Sequence, residues 1–433
     1  GKRTNAIGKR EYPAFSMNLE ASTTGKRGLN KEIPTIIFSH FLIFSMNVSA
    51  KNLAMRFTSP LVQVFSALAL VLLASAPTQA QNNQPPLGGQ PAVPFMLIGP
   101  DSRANGMGDA NTGMAEDLHA IHWNPAGLAF QYDRQVSLAF SRWLPQFNAD
   151  LYYARGAYGQ YVPALQSTIA VDFLLFNLGQ FIRTDIQGRE LGRFNSFEFA
   201  ISGAIATQVT DDIGVGAAIK YIQSNLGATT DNVGGGLGQT VAFDISGMWK
   251  PLKLKLADVD LSDRFSVGVN IKNVGPSMRY NQFSDPLPMQ ARVGLAATLV
   301  RDEFNELNIA VDYAKQLVQR DSSIEGGFVQ AIPAIFTAWG TREFEIAGGL
   351  EYWYDKTVAL RGGYYFEPAR VSNAIRNYFT VGVGVRFDIF QGDFSYIIPT
   401  QVNNPLGNTL RFSLIVNFRD GKQLLGIKPE GKK

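Results

Sequence analysis

Cysteine is absent from the 433-residue chain, and only 17% of its residues are charged. The absence of cysteine excludes a disulfide framework, a thiolate metal site and a thiol-dependent enzyme. Long apolar runs are also missing after residue 80, which excludes a bundle of membrane-spanning helices. Because 45% of the residues are hydrophobic, a disordered tail protein is excluded as well. The remaining classes are a large soluble β-protein and a β-barrel of an outer membrane.

The first 80 residues have the pattern of an export signal preceded by unrelated sequence. Within 55–80, a basic start at Met55 is followed by an apolar run and by small residues before Ala80. This order predicts a signal peptide that is cleaved after Ala80. A permanent helical anchor is the less favoured alternative, because the apolar run is short. Residues 1–54 are interpreted as an upstream translated extension, since they lack the periodicity of a packed element; a genuine N-terminal domain is the alternative. Residues 81–94, rich in Gln, Asn, Pro and Gly, predict a flexible leader.

The charge balance argues against a nucleic-acid partner. The first 80 residues carry nine Lys or Arg and three acidic residues, out of 39 and 36 in the whole chain. The exported part therefore has 30 basic and 33 acidic residues, a net charge of −3. With this balance we expect no nucleic acid among the partners. Export combined with a lack of cysteine is typical of the periplasm or the outer membrane.

The segment that follows the leader contains two groups of residues with possible chemistry. Gly106 and Gly108 could cradle a phosphate, but no strand precedes them and the third glycine of a dinucleotide motif is missing. A tight turn in a confined space is the favoured interpretation. Glu116, His119 and His122 have helical spacing that could hold a metal ion. Because three ligands within one turn are few and no fourth is evident, we expect packing or hydrogen-bonding histidines, and neither a metal site nor a cofactor.

From about Gln135 onward, apolar residues alternate with small or polar ones, which is typical of β-strands. In the clearest example, 379–387, every second residue is Phe or Val, and the residues between them are Thr, Gly or Arg. A soluble sandwich would carry many Lys and Glu on its outer face, whereas a membrane barrel turns its apolar face to lipid and its polar face to the lumen. Backbone hydrogen bonds cannot be left open in hydrocarbon, so the sheet must close. We therefore predict an all-β fold, a transmembrane antiparallel β-barrel.

The alternation predicts about fourteen strands, an even number as expected for a single-chain bacterial barrel. The predicted strands are 135–143, 151–161, 167–176, 194–209, 212–224, 240–250, 265–273, 289–300, 307–314, 344–353, 358–366, 378–387, 393–398 and 409–418. The barrel is expected to occupy residues 134–418, followed by a C-terminal tail at 419–433.

One predicted hairpin fixes two inward positions. The apolar residues of 344–353 and 358–366 lie on the same side only if the loop between them has three residues, 355–357. This register places Glu351 opposite Arg361 on the lumen face and predicts an ion pair between them. The alternative is that both side chains line a wet lumen without pairing.

The longest gaps between strands are predicted to be exposed loops, in which recognition usually occurs. These gaps are 179–193, 227–239, 273–288, 315–342 and 399–408. The gap 315–342 contains apolar residues that are unusual in a solvated loop, namely Phe328, Ile332, Ile335, Phe336 and Trp339. Either this stretch folds over the barrel mouth as a short helical lid, or it offers an apolar surface to a partner.

Five sequence motifs together resemble the PorV/PorQ family of outer-membrane proteins of the type IX secretion system. They are Asp101 to Gly113, His122 to Ala126, Gly349 to Tyr354, Arg361 to Phe366 and Asn404 to Leu414. The family motif before the first strand comprises Arg103, Gly106, Gly108, Asp109, Trp123, Asn124 and Pro125. The Glu-Tyr-Trp-Tyr hairpin and the Asn-Pro-Leu-x-Asn-Thr-Leu-Arg-Phe-Ser-Leu ending favour the PorV branch of the family.

The resemblance implies a fourteen-stranded barrel similar to the fatty-acid transporter FadL, with residues 95–133 inside or beneath it as a plug. It also implies a location in the outer membrane of a Gram-negative bacterium of the Bacteroidetes type, embedded in its lipid bilayer. Members of the family receive secreted proteins from the outer-membrane translocon by their C-terminal signal domain. The resemblance further implies that these family members carry the secreted proteins to a surface attachment complex that contains the sortase PorU.

Two other functions are weighed against this secretion role. FadL-like transport of a hydrophobic small molecule across the outer membrane would need an apolar lumen pocket, whereas the inward positions are mainly small and polar. An enzyme lacks support, because the chain has three His and no Ser in a Gly-x-Ser-x-Gly motif.

Overall fold

The computed structural model describes residues 91–144, 150–185, 187–227, 236–256, 259–280, 283–319, 329–340, 343–368, 376–400 and 407–418. The predicted extension, the signal peptide, the C-terminal tail and most of the leader lie outside the described residues, as does Phe328. Among the described residues, no helix is both long enough and apolar enough to cross a membrane.

Fourteen strands form one closed antiparallel barrel within the described part of the chain. They are β1 (Arg134–Arg142), β2 (Tyr152–Val162), β3 (Ser167–Thr184), β4 (Glu190–Gln208), β5 (Ile213–Asn225), β6 (Leu237–Trp249), β7 (Phe265–Val274), β8 (Gln290–Arg301), β9 (Asn305–Gln316), β10 (Phe344–Tyr354), β11 (Val358–Glu367), β12 (Arg376–Phe387), β13 (Phe390–Pro399) and β14 (Leu410–Phe418). Each strand pairs with its neighbours in the sequence, and β1 closes the barrel against β14, with Leu138 opposite Leu414. The predicted fold class, an all-β antiparallel barrel of about fourteen strands, is confirmed.

The alternation along each strand decides which side chains face outward. In β12, Val381 and Val383 are exposed, whereas Thr380 is buried against the lumen contents. In β14, Phe412 is exposed and Ser413 is buried. Leaving such apolar side chains in water costs about 25 cal/mol per Å², so an exterior of this composition is suited to hydrocarbon. Barrel closure in turn pairs the backbone groups that hydrocarbon could not satisfy.

The connections between strands differ in length at the two ends of the barrel. At the end where β1 begins and β14 ends, most connections are short, for example 302–304, 355–357 and 388–389. At the opposite end, most connections are longer, and the one between β9 and β10 spans 317–343. We call these the short-turn end and the long-loop end. Outer-membrane barrels have short periplasmic turns and longer extracellular loops, which assigns the long-loop end to the cell exterior.

The predicted loop at 179–193 is wrong for most of its length. β3 and β4 continue through it as a long hairpin, and Phe181 stacks on Phe194 with ring centroids 5.7 Å apart. The pairing register shifts at Gly179, which has a φ of 78°. This bulge interrupts the period-two pattern, so the outer half of the hairpin carries no continuous alternation in the sequence.

Short helices lie before β1 and in the connection between β9 and β10. Helices α1 (Ser102–Gly106) and α2 (Ala120–Trp123) precede β1, together with two 3-10 helices, Pro94–Leu97 and Pro125–Phe130. Helix α3 (Ala331–Thr337) lies in the connection between β9 and β10. The elements before β1 occupy the lumen, and α3 lies at the long-loop end.

The outward position of Val383, near the middle of β12, is testable. Because a charge on the lipid face must be taken into hydrocarbon, Val383→Lys should lower the free energy of unfolding from a bilayer by about 2–4 kcal/mol. Urea unfolding of the protein reconstituted in lipid vesicles measures this, with Val383→Leu as the matched apolar control. Equal stability of the two variants would contradict a lipid-facing position.

Candidate functional site

The plug, residues 95–133, fills the centre of the lumen. Helix α1 packs on the wall formed by β11–β14, whereas the 3-10 helix Pro125–Phe130 packs on β3–β7. Between residues 101 and 129, only Glu116 is exposed. The plug therefore forms the packed interior of the barrel.

One buried carboxylate fixes the start of α1. Asp101 accepts a hydrogen bond from the backbone N–H of Ala104 at 2.7 Å and another from Trp123 Nε1 at 2.8 Å. Burial by itself raises the pKa of Asp101, but the two hydrogen bonds and the nearby Arg155 guanidinium lower the pKa overall. The ionised carboxylate thus caps α1 and ties it to α2.

A chain of ion pairs joins the plug to the wall. Arg103 donates two hydrogen bonds of 2.9 Å to Glu351, and its third nitrogen donates to Asp117 at 3.0 Å. Glu351 also accepts from Arg361 Nε at 2.7 Å, and Arg361 Nη1 donates to Asp393 at 2.8 Å. Burial lowers the pKa of Arg103, but the Glu351 carboxylate raises it overall. One carboxylate therefore lies between two guanidinium groups, and its bidentate bonds to Arg103 are of the stronger charge-assisted kind.

Part of this chain involves the pair that the sequence predicts. Glu351 lies directly opposite Arg361 in the pairing of β10 with β11, and residues 355–357 form the turn between the strands. Both side chains are fully buried. The third member, Arg103, is 248 positions away from Glu351 in the sequence, so no local pattern predicts its contact.

A second wall carboxylate holds the middle of the plug. Asp312 on β9 accepts from the backbone N–H groups of Asn111 at 3.1 Å and Thr112 at 2.9 Å, and from the Thr112 hydroxyl at 2.6 Å. Arg292 on β8 pairs with the same carboxylate at 3.1 Å and donates to the carbonyl of Asp109 at 3.1 Å. The sequence analysis did not identify Asp312 or Arg292. The signal in the sequence was a single charged residue among small ones on the inward face of a strand, as Asp312 is between Ala310 and Ala314.

The two motif glycines bring the plug backbone onto the wall. Gly108 has a φ of 68°, and a Cβ added there would lie 2.6 Å from the backbone nitrogen of Tyr364. A Cβ added to Gly363 of the wall would lie 2.1 Å from the Gly108 nitrogen. The Gly108 N–H donates to Thr380 Oγ1 at 3.0 Å, and this hydroxyl donates to the carbonyl of Gly106 at 3.1 Å. The geometry is that of a tight turn in a confined space.

Glu116, His119 and His122, which share helical spacing in the sequence, have different surroundings in the structure. Glu116 pairs with Lys250 of the wall at 2.7 Å. His119 Nδ1 lies 2.5 Å from Arg155 Nη1. Burial and the nearby cations lower the pKa of His122, which keeps this ring neutral. In the part of the chain that the structure describes, no group of three His, Asp or Glu could hold a metal ion.

The Trp-Asn-Pro motif contacts both the barrel wall and an earlier part of the plug. Two basic side chains lie close to the Trp123 ring, the Arg292 guanidinium at 5.0 Å and Lys272 Nζ at 5.8 Å from the ring centroid. Asn124 donates to the carbonyl of Thr112 at 3.0 Å, and its side-chain oxygen caps the following 3-10 helix, which starts at Pro125. These contacts fold the plug back on itself.

The apolar residues predicted as a partner surface lie on and beside α3. Ile332, Phe336 and Trp339 are 68%, 76% and 54% exposed, respectively. Ile335 is half-buried against a cluster at the long-loop end that includes Met289. Of the five apolar residues predicted as a partner surface, the structure thus leaves three exposed.

Two cavities lie on opposite sides of the plug. The cavity at the short-turn end has a volume of about 440 Å³ and is lined by charged side chains of both signs, among them Lys250, Arg301 and Glu306. The cavity at the long-loop end has a volume of about 290 Å³. Its lining is mainly aromatic and aliphatic, with Arg292 and Arg411 among the few charged residues.

A protein-family model described as type IX secretion system protein PorV matches residues 80–322, more than half of the chain. No curated protein matches the chain. Among solved structures, the toluene transporter TbuX of Ralstonia pickettii is similar at 11% identity over 75% of this chain and 100% of that chain, with a TM-score of 0.46. The toluene transporter TodX of Pseudomonas putida is similar at 12% identity over 75% of this chain and 100% of that chain, with a TM-score of 0.48.

Removing the shared carboxylate of the ion-pair chain should destabilise the barrel. Glu351→Gln leaves Arg103 and Arg361 buried without their common counter-ion, so we expect the free energy of unfolding to fall by about 3–5 kcal/mol. Glu306→Gln is the matched control, because Glu306 pairs with the half-exposed Arg301 at 3.4 Å and should contribute at most about 1 kcal/mol. Chemical unfolding in vesicles measures both values, and equal losses would contradict the buried network.

The close contact between plug and wall gives a second test. Gly363→Val should displace the plug, since its Cβ would meet the Gly108 backbone. We therefore expect larger ion currents in planar bilayers from this variant than from the unaltered protein. Gly362→Val is the control, because a Cβ at the neighbouring Gly362 meets nothing within 4 Å. Equal conductance of the two variants would mean that the Gly363 contact does not hold the plug.

Proposed function

The chain belongs to the family of the type IX secretion system protein PorV, and from this membership we propose that it binds the C-terminal signal domain of secreted proteins. In this proposal the protein receives its cargo from the outer-membrane translocon and delivers it to a surface attachment complex with a PorU-type sortase. The role is non-enzymatic. The protein acts as a carrier that stays in the outer membrane while the cargo lies outside it.

The observation that carries this proposal is the filled lumen. Plug and wall touch backbone to backbone at Gly108 and Gly363. The plug is also held by a buried ion pair to Glu351 and by hydrogen bonds to the buried Asp312. A folded or extended polypeptide could pass only after these contacts were broken together. A barrel closed in this way is suited to binding cargo at its end and unsuited to conducting it.

Exposed apolar groups at the long-loop end supply a binding surface. One group is the α3 surface, which we define as Ile332, Phe336 and Trp339. The outer part of the β3–β4 hairpin adds Phe181, Ile182 and Leu191, all exposed. Aromatic and aliphatic side chains that are already ordered cost little entropy to bury, which favours their use as binding anchors. We therefore assign cargo recognition to this end of the barrel.

FadL-like transport of a hydrophobic small molecule remains the second candidate. It is favoured by the apolar lining of the 290 Å³ cavity at the long-loop end. An argument against transport is that the plug contacts below this cavity close the lumen to a small molecule, as they close it to a polypeptide. Organic extraction of the purified protein distinguishes the two, because transport predicts a bound hydrophobic compound in the absence of secreted partners.

The carrier proposal is tested by purifying the tagged protein from native membranes of a cell that secretes cargo. We expect to recover secreted proteins with a common C-terminal domain. The double variant Phe336→Ser with Trp339→Ser should recover about tenfold less cargo, since aromatic anchors commonly dominate binding. The matched control is Phe387→Ser, because Phe387 is 77% exposed but lies at the short-turn end, against 76% for Phe336.

The two parts of this test can fail separately. Absence of cargo from the unaltered protein would refute the carrier function. Normal recovery with the double variant would refute the α3 surface alone and move recognition to the β3–β4 hairpin or another part of the long-loop end.

A further inference from the structure

Helix α3 packs on side chains of the barrel wall that point outward. Residues from α3, from the 3-10 helix that follows it and from the wall form one buried cluster, whose members are Ala334, Ala338, Met289, Ala291 and Leu317. Ala291 precedes Arg292 in β8, and Arg292 points into the lumen, where it pairs with Asp312. Because successive side chains of a strand point to opposite faces, Ala291 points outward. Ile271 of β7 lies directly opposite Ala291 and packs against the same cluster. Helix α3 therefore lies against the outside of the barrel and not across its mouth.

The wall is covered at its long-loop end and open nearer its middle. Ala291 is 9% exposed, whereas Val293, the next outward residue of β8, is 45% exposed. On β7, Ile271 is half-buried, and Val269 is 46% exposed. The change from covered to open positions within two residues on each strand locates α3 over the ends of these strands.

The covered ends lie beside a group of outward aromatic residues. Ala291 is paired with Lys315 of β9, and Lys315 is paired with Phe344 of β10, so the three residues form one row across neighbouring strands. The Phe344 ring lies 6.0 Å from the Tyr313 ring and 6.2 Å from the Phe366 ring, measured between centroids. Girdles of aromatic residues border the lipid-facing band of outer-membrane barrels at both interfaces. This position places α3 where the wall meets the outer leaflet.

The side of α3 that turns away from the wall is apolar and uncharged. Ile332 and Phe336 are four residues apart, and Trp339 follows three residues later, so the three side chains lie on one side of the helical segment. Residues 329–340 contain no Asp, Glu, Lys or Arg. Trp339 Nε1 donates to the carbonyl of Ile335 at 2.6 Å, so the polar group of this ring has a partner without water. A helix that faces water usually carries charged residues on its outer side.

We propose that the α3 surface is inserted into the outer leaflet of the membrane, where its three side chains contact lipid acyl chains close to the headgroups. The occupant is lipid because the surface continues the outward face of β7 and β8 and carries no charge. A short segment with one apolar side is suited to this interface, in which tryptophan is favoured. The inference goes beyond the carrier function and does not rest on it, although cargo that binds the α3 surface would have to displace this lipid.

The absence of cysteine from the chain allows a direct test with single spin labels. Phe336→Cys and Ile332→Cys are each prepared in the full-length protein, labelled with a nitroxide and reconstituted in phosphatidylcholine vesicles. Power saturation measures how often the label collides with oxygen, which concentrates in hydrocarbon, and with a nickel chelate, which stays in water. Val383→Cys is the reference for lipid. Gln187→Cys, exposed at the tip of the β3–β4 hairpin, is the reference for water.

We expect the ratio of oxygen to nickel collisions at positions 332 and 336 to be severalfold higher than at position 187 and to approach the ratio at position 383. Both replaced side chains are mostly exposed, so little packing is lost. The two positions are independent, and Ile332→Cys keeps the inference testable if Phe336→Cys does not fold.

A ratio at both positions equal to that at position 187 would overturn the inference, because the α3 surface would then face water. Dipolar broadening of the spectra would also overturn it, since a second copy of the chain would then cover the surface. The vesicles contain no secretion partner. Failure of this test therefore leaves the carrier function standing, and failure to recover cargo leaves the lipid contact standing.

Discussion

The requirement that every backbone hydrogen bond be made within the protein determines the rest of this structure. Hydrocarbon offers no partner for an open strand edge, so fourteen strands must close between β1 and β14. Closure creates an interior that one set of alternating side chains must fill. Since the outward set is apolar, as at Val381 and Val383, the inward set is small, polar or charged. A barrel of this width then needs further material in its lumen.

The plug supplies that material, and its packing follows from the polar interior. Charged wall residues are stable there only when they are paired and hydrogen-bonded, and the plug provides the partners. Glu351 lies between a plug arginine and a wall arginine, and Asp312 accepts from the plug backbone and from Arg292. Small residues such as Gly363 let the plug backbone approach the wall. Plug and barrel are thus one folded unit whose interior resembles the polar core of an interface.

A filled lumen has a direct consequence for a protein of a secretion system. In the proposed carrier role, cargo would be bound at the surfaces that remain, and the long-loop end carries exposed aromatic groups at α3 and on the β3–β4 hairpin. The apolar cavity of about 290 Å³ lies at the same end, on the outer side of the plug.

The sequence alone determined the strand number, the orientation of each strand face and the register of the β10–β11 hairpin, because all three depend on residues two positions apart or on a short turn. It did not extend β3 and β4 correctly, since the bulge at Gly179 shifts the alternation. Nor did it indicate that Arg103 reaches Glu351 or that Asp312 accepts hydrogen bonds from Thr112. Thr112 and Asp312 are 200 residues apart, and the closing of the barrel brings them together. Contacts of this kind were decided only by the tertiary structure, because they depend on which strands face each other across the lumen and leave no periodic trace along the chain.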